Sequence, residues 1–333
     1  MRFDFLTKAW YQPKLTLLTA LLLPLAALFA GVVALRRYAY RRAWLRVTRL
    51  PVPVIVVGNI TIGGTGKTPT VIALALFLKS QGYRVGIISR GVGVKRREPW
   101  LVNANTSPHL AGDEAVLIAK RTECPVVVFP DRIAGAHFLL KQSPCDLILS
   151  DDGLQHYRLQ PDITIALMDA KRQLGNRFML PAGPLREPAS RLAHVNFVLT
   201  TGRDVADIRF QAEAWCSVTG DQTQTLTAFS GQKAHVMAGI SNPQAFFECA
   251  ARVGVQGIPH SFQDHQAYTE AMLNFTPRLP LLMTEKDAVK CSGFSIPDMW
   301  YLSQTAILPD FFKQAILHQL KGVLPREAKI MPA

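Results

Sequence analysis

A chain of 333 residues, 49% hydrophobic and 18% charged, is long enough for two ordinary domains and too apolar to remain disordered. Its net charge of +13 is concentrated at one end, where residues 1–50 hold nine of the 37 Lys and Arg side chains and a single acid, Asp4, of the 24. The rest is nearly balanced, which argues against a nucleic-acid face; five scattered cysteines with no CxxC pair argue against a zinc site and for reduced thiols in the cytosol.

Residues 15–35, "LTLLTALLLPLAALFAGVVAL", carry no charge. As a helix they would be roughly 31 Å long, about the hydrocarbon thickness of a bilayer. The run ends in "RRYAYRRAWLR", not at a small-residue cleavage site, so a secretory signal is the poorer reading. Arginines beside a span mark the cytoplasmic side, and Tyr38, Tyr40 and Trp44 suit the interface. We expect an N-terminal membrane helix, with an apolar helix kinked at Pro24, packed in a core or lying along the membrane surface, as the alternative.

"VPVIVV" then reads as a buried parallel strand, followed by "GNITIGGTGKTP" and the helical pattern "TPTVIALALFLKSQG". Strand, glycine loop, Gly-Lys-Thr and helix in that order form a phosphate cradle, in which amides converge on anionic oxygens at the positive end of a helix. The candidate nucleotide contacts are Thr61, Ile62, Gly63, Gly64, Thr65, Gly66, Lys67 and Thr68. Lys67 would reach the β- and γ-phosphates, and the Thr68 hydroxyl would face Mg²⁺. Thr61 stands where the usual pattern has glycine, and Ile62 stands where dimerising switch ATPases carry an extra lysine.

P-loop enzymes place a second acid for the metal at the tip of another apolar strand, and "CDLILSDDGLQH" supplies Asp151 and Asp152. Asp131 after "VVVFP" and Asp169 after "TIALM" compete for that role, but the polar cluster with Gln155 and His156 favours the first pair. Further reactive groups follow strand-like runs: Asp113 and Glu114 in "AGDEA", Arg186 and Glu187 in "LPAGPLREP", Asp264 and His265 in "FQDHQAY". The first and last pairs have a plainer reading, as helix caps for the acids and a surface histidine, whereas a loop arginine stiffened by prolines suits phosphate charge.

Taken together, "VGNITIGGTGKTP", "ISRG", "GDEA", "DRIAGA", "DDGLQHYRL", "LPAGPLREP", "MAGISNPQAFF", "DHQAY" and "TEKDAVK" resemble the tetraacyldisaccharide 4'-kinase family across about residues 1–325. The resemblance implies an inner-membrane kinase, facing the cytoplasm, that moves the γ-phosphate of ATP to the 4'-hydroxyl of an acylated disaccharide 1-phosphate in lipid A biosynthesis. It also implies a dyad of Asp113 and His265 for the hydroxyl proton, Lys67 and Arg186 on developing phosphate charge, and Thr68 with Asp151 or Asp152 on the Mg²⁺ side. Val92 stands where that family commonly has an aromatic residue.

Strand-like runs at 52–57, 84–88, 125–129, 146–150, 163–168 and 195–200 alternate with helices, predicting a P-loop-type, mostly parallel α/β sheet covered on both faces. After the polar run at 217–232 a second alternation begins, with helices predicted at 243–254, 265–276 and about 309–323. The expected organisation is a membrane segment at 1–50, a P-loop kinase domain at 51–225 and a smaller α/β domain at 226–333. A membrane-attached switch GTPase or ATPase is the rival reading, and "TEKD" holds the letters of a guanine-selecting motif with Glu285 interposed.

Overall fold

A computed structural model describes residues 2–12, 15–91, 96–219 and 221–323. Val92, which replaces the family's usual aromatic residue, lies outside the described residues. Three helices open the chain: α1 (Arg2–Trp10), α2 (Leu17–Leu21) and α3 (Leu23–Arg41). The single span expected over 15–35 is therefore divided. The Thr16 hydroxyl caps α2, Leu22 closes it, and Pro24 falls in the first turn of α3, where a missing N–H costs little. α3 continues through Arg36 and Arg37 to Arg41, so much of the arginine cluster lies on the helix itself. Among the described residues it alone is long and apolar enough to cross a membrane. Phe29, Ala30 and Val33 pack it onto the body, while Leu25, Leu28, Val32 and Leu35 form an exposed apolar stripe.

The P-loop half follows with β1 (Val54–Gly58), α4 (Lys67–Ser80), β2 (Val85–Ser89), β3 (Trp100–Val102), α5 (Pro108–Ala111), α6 (Asp113–Thr122), β4 (Val126–Val128), α7 (Arg132–Gln142), β5 (Leu147–Asp151), β6 (Ile163–Asp169) and β7 (Phe197–Gly202). Then come β8 (Ile208–Ser217), β9 (Thr223–Gln224), β10 (Lys233–Ala238), α8 (Pro243–Arg252), β11 (Gln256–Ser261), β12 (Leu281–Thr284), α9 (Glu285–Cys291), β13 (Met299–Ile307) and α10 (Asp310–Val323). The strands form one sheet in the order β11-β10-β12-β13-β8-β7-β6-β1-β5-β2-β4-β3, with β9 beside β8.

β1 shows why both faces are covered. Successive side chains point to opposite sides, so Ile55 and Val57 enter the core under α4, α6 and α10, while Val54 and Val56 enter the one under α7 and α3. Neighbours from β4 to β8 are parallel, and so are β11, β10, β12 and β13; the two blocks meet where β8 runs antiparallel to β13. A register shift at Ser303/Gln304 marks that joint, the kind of irregularity at which sheets bend.

The strands and helices predicted in the P-loop half are present within a few residues. β8 was not anticipated, nor were β3, α5 and α9. The helix expected at 265–276 is absent. His265 has a left-handed φ of 61° and Thr269 is extended, so regular helix gives way to one 3₁₀ turn, Glu270–Leu273. α10 returns to the first half: Phe312, Ile316 and Leu320 are fully buried in the core under α4, and Phe312 meets Phe197 edge-on at 5.1 Å. Phe312→Ala should lower the unfolding free energy by about 3–5 kcal/mol in a urea titration. A loss below about 1 kcal/mol would show that α10 contributes little to that core.

Candidate active site

The loop after β1 is built around Asn59, which is fully buried. Its Nδ2 donates to the Gly63 carbonyl at 3.3 Å and to Thr65 Oγ1 at 2.8 Å, and Thr201 Oγ1 donates to the Thr65 carbonyl at 2.9 Å. Residues 184–186 run beside the loop: the Ile62 amide donates to Pro184 O and the Arg186 amide to Ile60 O, both at 2.7 Å. Gly66, at φ 69°, caps α4 in a left-handed conformation, and a Cβ there would lie 2.1 Å from the Phe210 ring. Only glycine meets both demands. The first amides of α4, which have no helical partner, are left facing the cleft.

Charge is arranged over those amides. Asp152, itself at a left-handed φ of 48°, accepts from Arg186 through both oxygens at 2.9 and 3.1 Å and lies 3.7 Å from Lys67 Nζ. Burial would raise its pKa, but Lys67 and Arg186 outweigh burial and bring it down to about 2. Lys67 also donates to Asn59 Oδ1 at 3.3 Å, and Arg186 to the Asn59 carbonyl at 3.0 Å. Asp151 is buried behind this layer. Ser89 Oγ donates to its Oδ2 at 3.3 Å, its Oδ1 has no hydrogen-bond partner among the described residues, and burial with Glu114 and Asp152 lifts its pKa to about 7. Arg132, buried at the start of α7, fixes the strand end by donating to the carbonyls of Asp151 and Asp152 at 2.6 and 2.8 Å.

Across the cleft stands an acid–base cluster. His265 Nδ1 lies 3.0 Å from Asp113 Oδ1, so Nδ1–H donates to the carboxylate. Asp113 is the first residue of α6, 5% exposed, with Lys286 and Lys290 at 3.9 and 4.0 Å from its Oδ2. Burial opposes its ionisation, but His265 and the two ammonium groups hold its pKa below the ordinary carboxylate value; in return, the hydrogen bond from Asp113 raises that of His265. Lys286 donates to Glu114 at 3.0 Å and Asp264 at 2.9 Å, tying α9 and the His265 loop to α6.

One cleft of about 1200 Å³ is lined by Thr61–Thr68, Asp152, Arg186, Glu114 and His265, with Asp113 and Asp151 just behind its walls. The competing acids have other employment: Asp131 caps α7 and pairs with Arg158, and Asp169 accepts the amides of Lys171 and Arg172 in a turn. "TEKD" is likewise spent on structure. Asp287 is fully buried and accepts from the Gly239 amide, Tyr268 and Thr284, so it cannot read a guanine edge. Asn59, Arg132, Lys286 and Lys290 were not singled out from sequence; only the i, i+4 lysines of "TEKDAVK" carried a visible signal, a shared helix face.

A glycine cradle bearing Lys67, a charge-compensated arginine and an acid pair, opposed by a carboxylate–imidazole dyad, define a phosphotransferase of the P-loop class. The family model for LpxK, tetraacyldisaccharide-1-P 4'-kinase, matches residues 18–321. The chain belongs to the tetraacyldisaccharide 4'-kinase family. It is 46% identical over 336 residues to the tetraacyldisaccharide 4'-kinase of Pseudomonas fluorescens strain SBW25, covering 99% of each chain, and 44% identical to that of Nitrosococcus oceani, covering 98% of this chain and 97% of the relative. Its fold is similar to a crystal structure of LpxK from Aquifex aeolicus, an "apo" form in complex with ATP, with TM-score 0.76 and 29% identity over 91% of this chain and all of that one.

The dyad also has a stability signature. His265's pKa is raised, so the stability its protonation contributes is complete below the unfolded value, about 6.5, and fades as pH rises through the folded one. Asp113's is lowered, so its contribution is present above about 3.8 and fades as pH falls through the folded value. The stability gap between wild type and His265→Gln, followed by urea unfolding, should be widest between about pH 4 and 6.5 and narrow at higher pH.

Proposed function

We propose that this protein transfers the γ-phosphate of ATP to the 4'-hydroxyl of tetraacyldisaccharide 1-phosphate at the inner membrane, with the catalytic body on the cytoplasmic side. The observation that carries the reading is the opposition, across one cleft, of the Lys67–Arg186 phosphate site and the Asp113–His265 dyad in a chain of this family. The exposed apolar stripe of α3 and its arginines support membrane attachment, since an acylated acceptor stays in the bilayer and carries anionic phosphate. We read residues 1–50 as the membrane segment, 51–225 as the kinase domain and 226–333 as the domain bringing His265 to the cleft.

Thr61 to Thr68 would hold the triphosphate with main-chain amides, Lys67 bridging its terminal phosphates. Arg186, now bidentate to Asp152, presents the planar fork that suits phosphate oxygens as charge moves onto them. Mg²⁺ fits the site by its donors: hard oxygens, with Asp151 Oδ1 buried and without a hydrogen-bond partner among the described residues, and Thr68 at the head of α4. Mg²⁺ keeps several waters and takes one or two protein ligands, a number that these two residues can supply. Asp152, engaged by Lys67 and Arg186, is less free for that role than Asp151. When bound, the ion neutralises phosphate charge.

The acceptor hydroxyl must lose its proton, and the dyad acts there as one titrating unit. Its basic form pairs the Asp113 carboxylate with a neutral ring; its acidic form is stabilised by the same hydrogen bond, which places the unit's pKa above the ordinary histidine value. kcat/KM should therefore fall as pH drops through a value above about 6.5, and Asp113→Asn should move that limb to lower pH. Lys67→Ala and Asp113→Asn should each reduce turnover by roughly 10² or more. Adding His265→Gln to Asp113→Asn should cost little further, as expected of groups that work together.

The direct test is transfer of labelled γ-phosphate from Mg-ATP to the acylated disaccharide 1-phosphate in detergent, measured for the full chain. Hydrolysis without transfer would favour a switch ATPase.

A further inference from the structure

Glu187 follows the phosphate-facing arginine in sequence but does not share its site. It is 1% exposed, and both of its oxygens accept from the Tyr157 hydroxyl at 2.5 Å. A carboxylate withdrawn from water onto a neutral hydroxyl is costly, and simple filling of that space would be met more cheaply by an apolar side chain. Tyr157 in turn is held from α3: the Tyr40 ring lies 5.6 Å from its own, and the Arg36 guanidinium 5.4 Å from its centroid.

A second line of contact joins the same two places. Phe29, Ala30 and Val33 of α3 pack on the apolar cluster that contains Ile60 and Leu185. These are the residues whose backbones align the phosphate loop with the arginine segment, through Arg186 N to Ile60 O and the bridge between Thr61 and Leu185. The apolar helix therefore reaches residues 185–187 by two routes, by packing on the apolar cluster to which Leu185 belongs and by the chain Arg36/Tyr40–Tyr157–Glu187.

We propose that Tyr157 and Glu187 are positioning residues that fasten Arg186 to α3, so that the seating of the membrane helix sets the arginine over the phosphate site. This rests on the kinase reading above. The link explains why an acid stands beside the arginine: its anchored carboxylate fixes the direction in which the preceding side chain leaves the backbone. It also gives the helix a part in the chemistry besides attachment.

The test uses the full-length protein in detergent micelles, as wild type, Tyr157→Phe, Glu187→Gln, Arg186→Lys and the Tyr157→Phe/Arg186→Lys double variant. Hydrogen exchange of peptides covering 184–188, kcat and KM for ATP, and the thermal midpoint are measured on each. Tyr157→Phe should speed exchange of the Arg186 amide and lower kcat, each by about tenfold or more, with KM for ATP changed by less than about twofold. In the Arg186→Lys background the same change should lower kcat by less than about twofold, because what it disturbs is already lost. Glu187→Gln, which keeps an acceptor for the hydroxyl, should stay within about threefold of wild type in kcat.

A merely structural pair would shift the thermal midpoint and lower kcat by the same factor in both backgrounds. That result, or unchanged exchange at 184–188, overturns the proposal. The exchange measurement needs no acceptor, so it judges the link even if wild type transfers no phosphate, a failure that would count against the kinase reading alone.

Discussion

The structure depends on gathering positive charge where it is partly withdrawn from water. Lys67, Arg186 and Arg132 converge on the end of β5 and the head of α4, where main-chain amides already point the same way. Such a cluster repels itself and resists desolvation unless an anion completes it. Asp152 serves as that anion here, its carboxylate held so firmly that its pKa falls to about 2. An arriving phosphate would meet donors already aligned by their exchange with Asp152, Asn59 and the loop backbone, so little reorganisation remains at the moment of reaction.

That charge cluster would be idle without the second wall of the cleft, and the sheet provides it by reversing direction once. Within each parallel block the functional loops follow the carboxyl ends of strands: the phosphate loop after β1, Asp152 after β5, Ser241 after β10 and Lys286 after β12. The antiparallel joint of β8 and β13, with its register shift, lets two oppositely running blocks present those ends to one space. The ion pairs of Arg121 with Glu285, and of Lys286 with Glu114, span the two halves beside the dyad, and α10 binds the C-terminal half back into the first core.

Much of this was legible in the residues. Parallel strands buried on both faces read as unbroken apolar runs, so β1, β2, β5 and β6 were visible, as was the glycine loop between β1 and α4. β8 was not, because its alternating polar residues, Arg209, Gln211 and Glu213 among them, resemble a surface stretch until β13 is seen beside it. The helical pattern after His265 misled for a local reason: a left-handed residue and an extended Thr269 break a sequence whose periodicity is sound. In the site, residues with a reactive group at a strand end could be found, whereas Arg132 and Asn59 act by supporting backbone and neighbouring side chains. Nothing in their spacing announces that role; it exists only once β5, α7 and the loop after β1 are folded together.

The central claim is that the triphosphate occupies the amide cradle with its terminal phosphate turned toward the dyad. A crystal structure of the full chain with Mg²⁺ and a non-hydrolysable ATP analogue tests this most directly. The account predicts phosphate density over Gly63 to Thr68, in contact with Lys67 and Arg186, with Asp152 released from at least one of them and the open side of the terminal phosphate facing His265. Density for the triphosphate elsewhere, or a terminal phosphate walled off from Asp113 and His265, would contradict it.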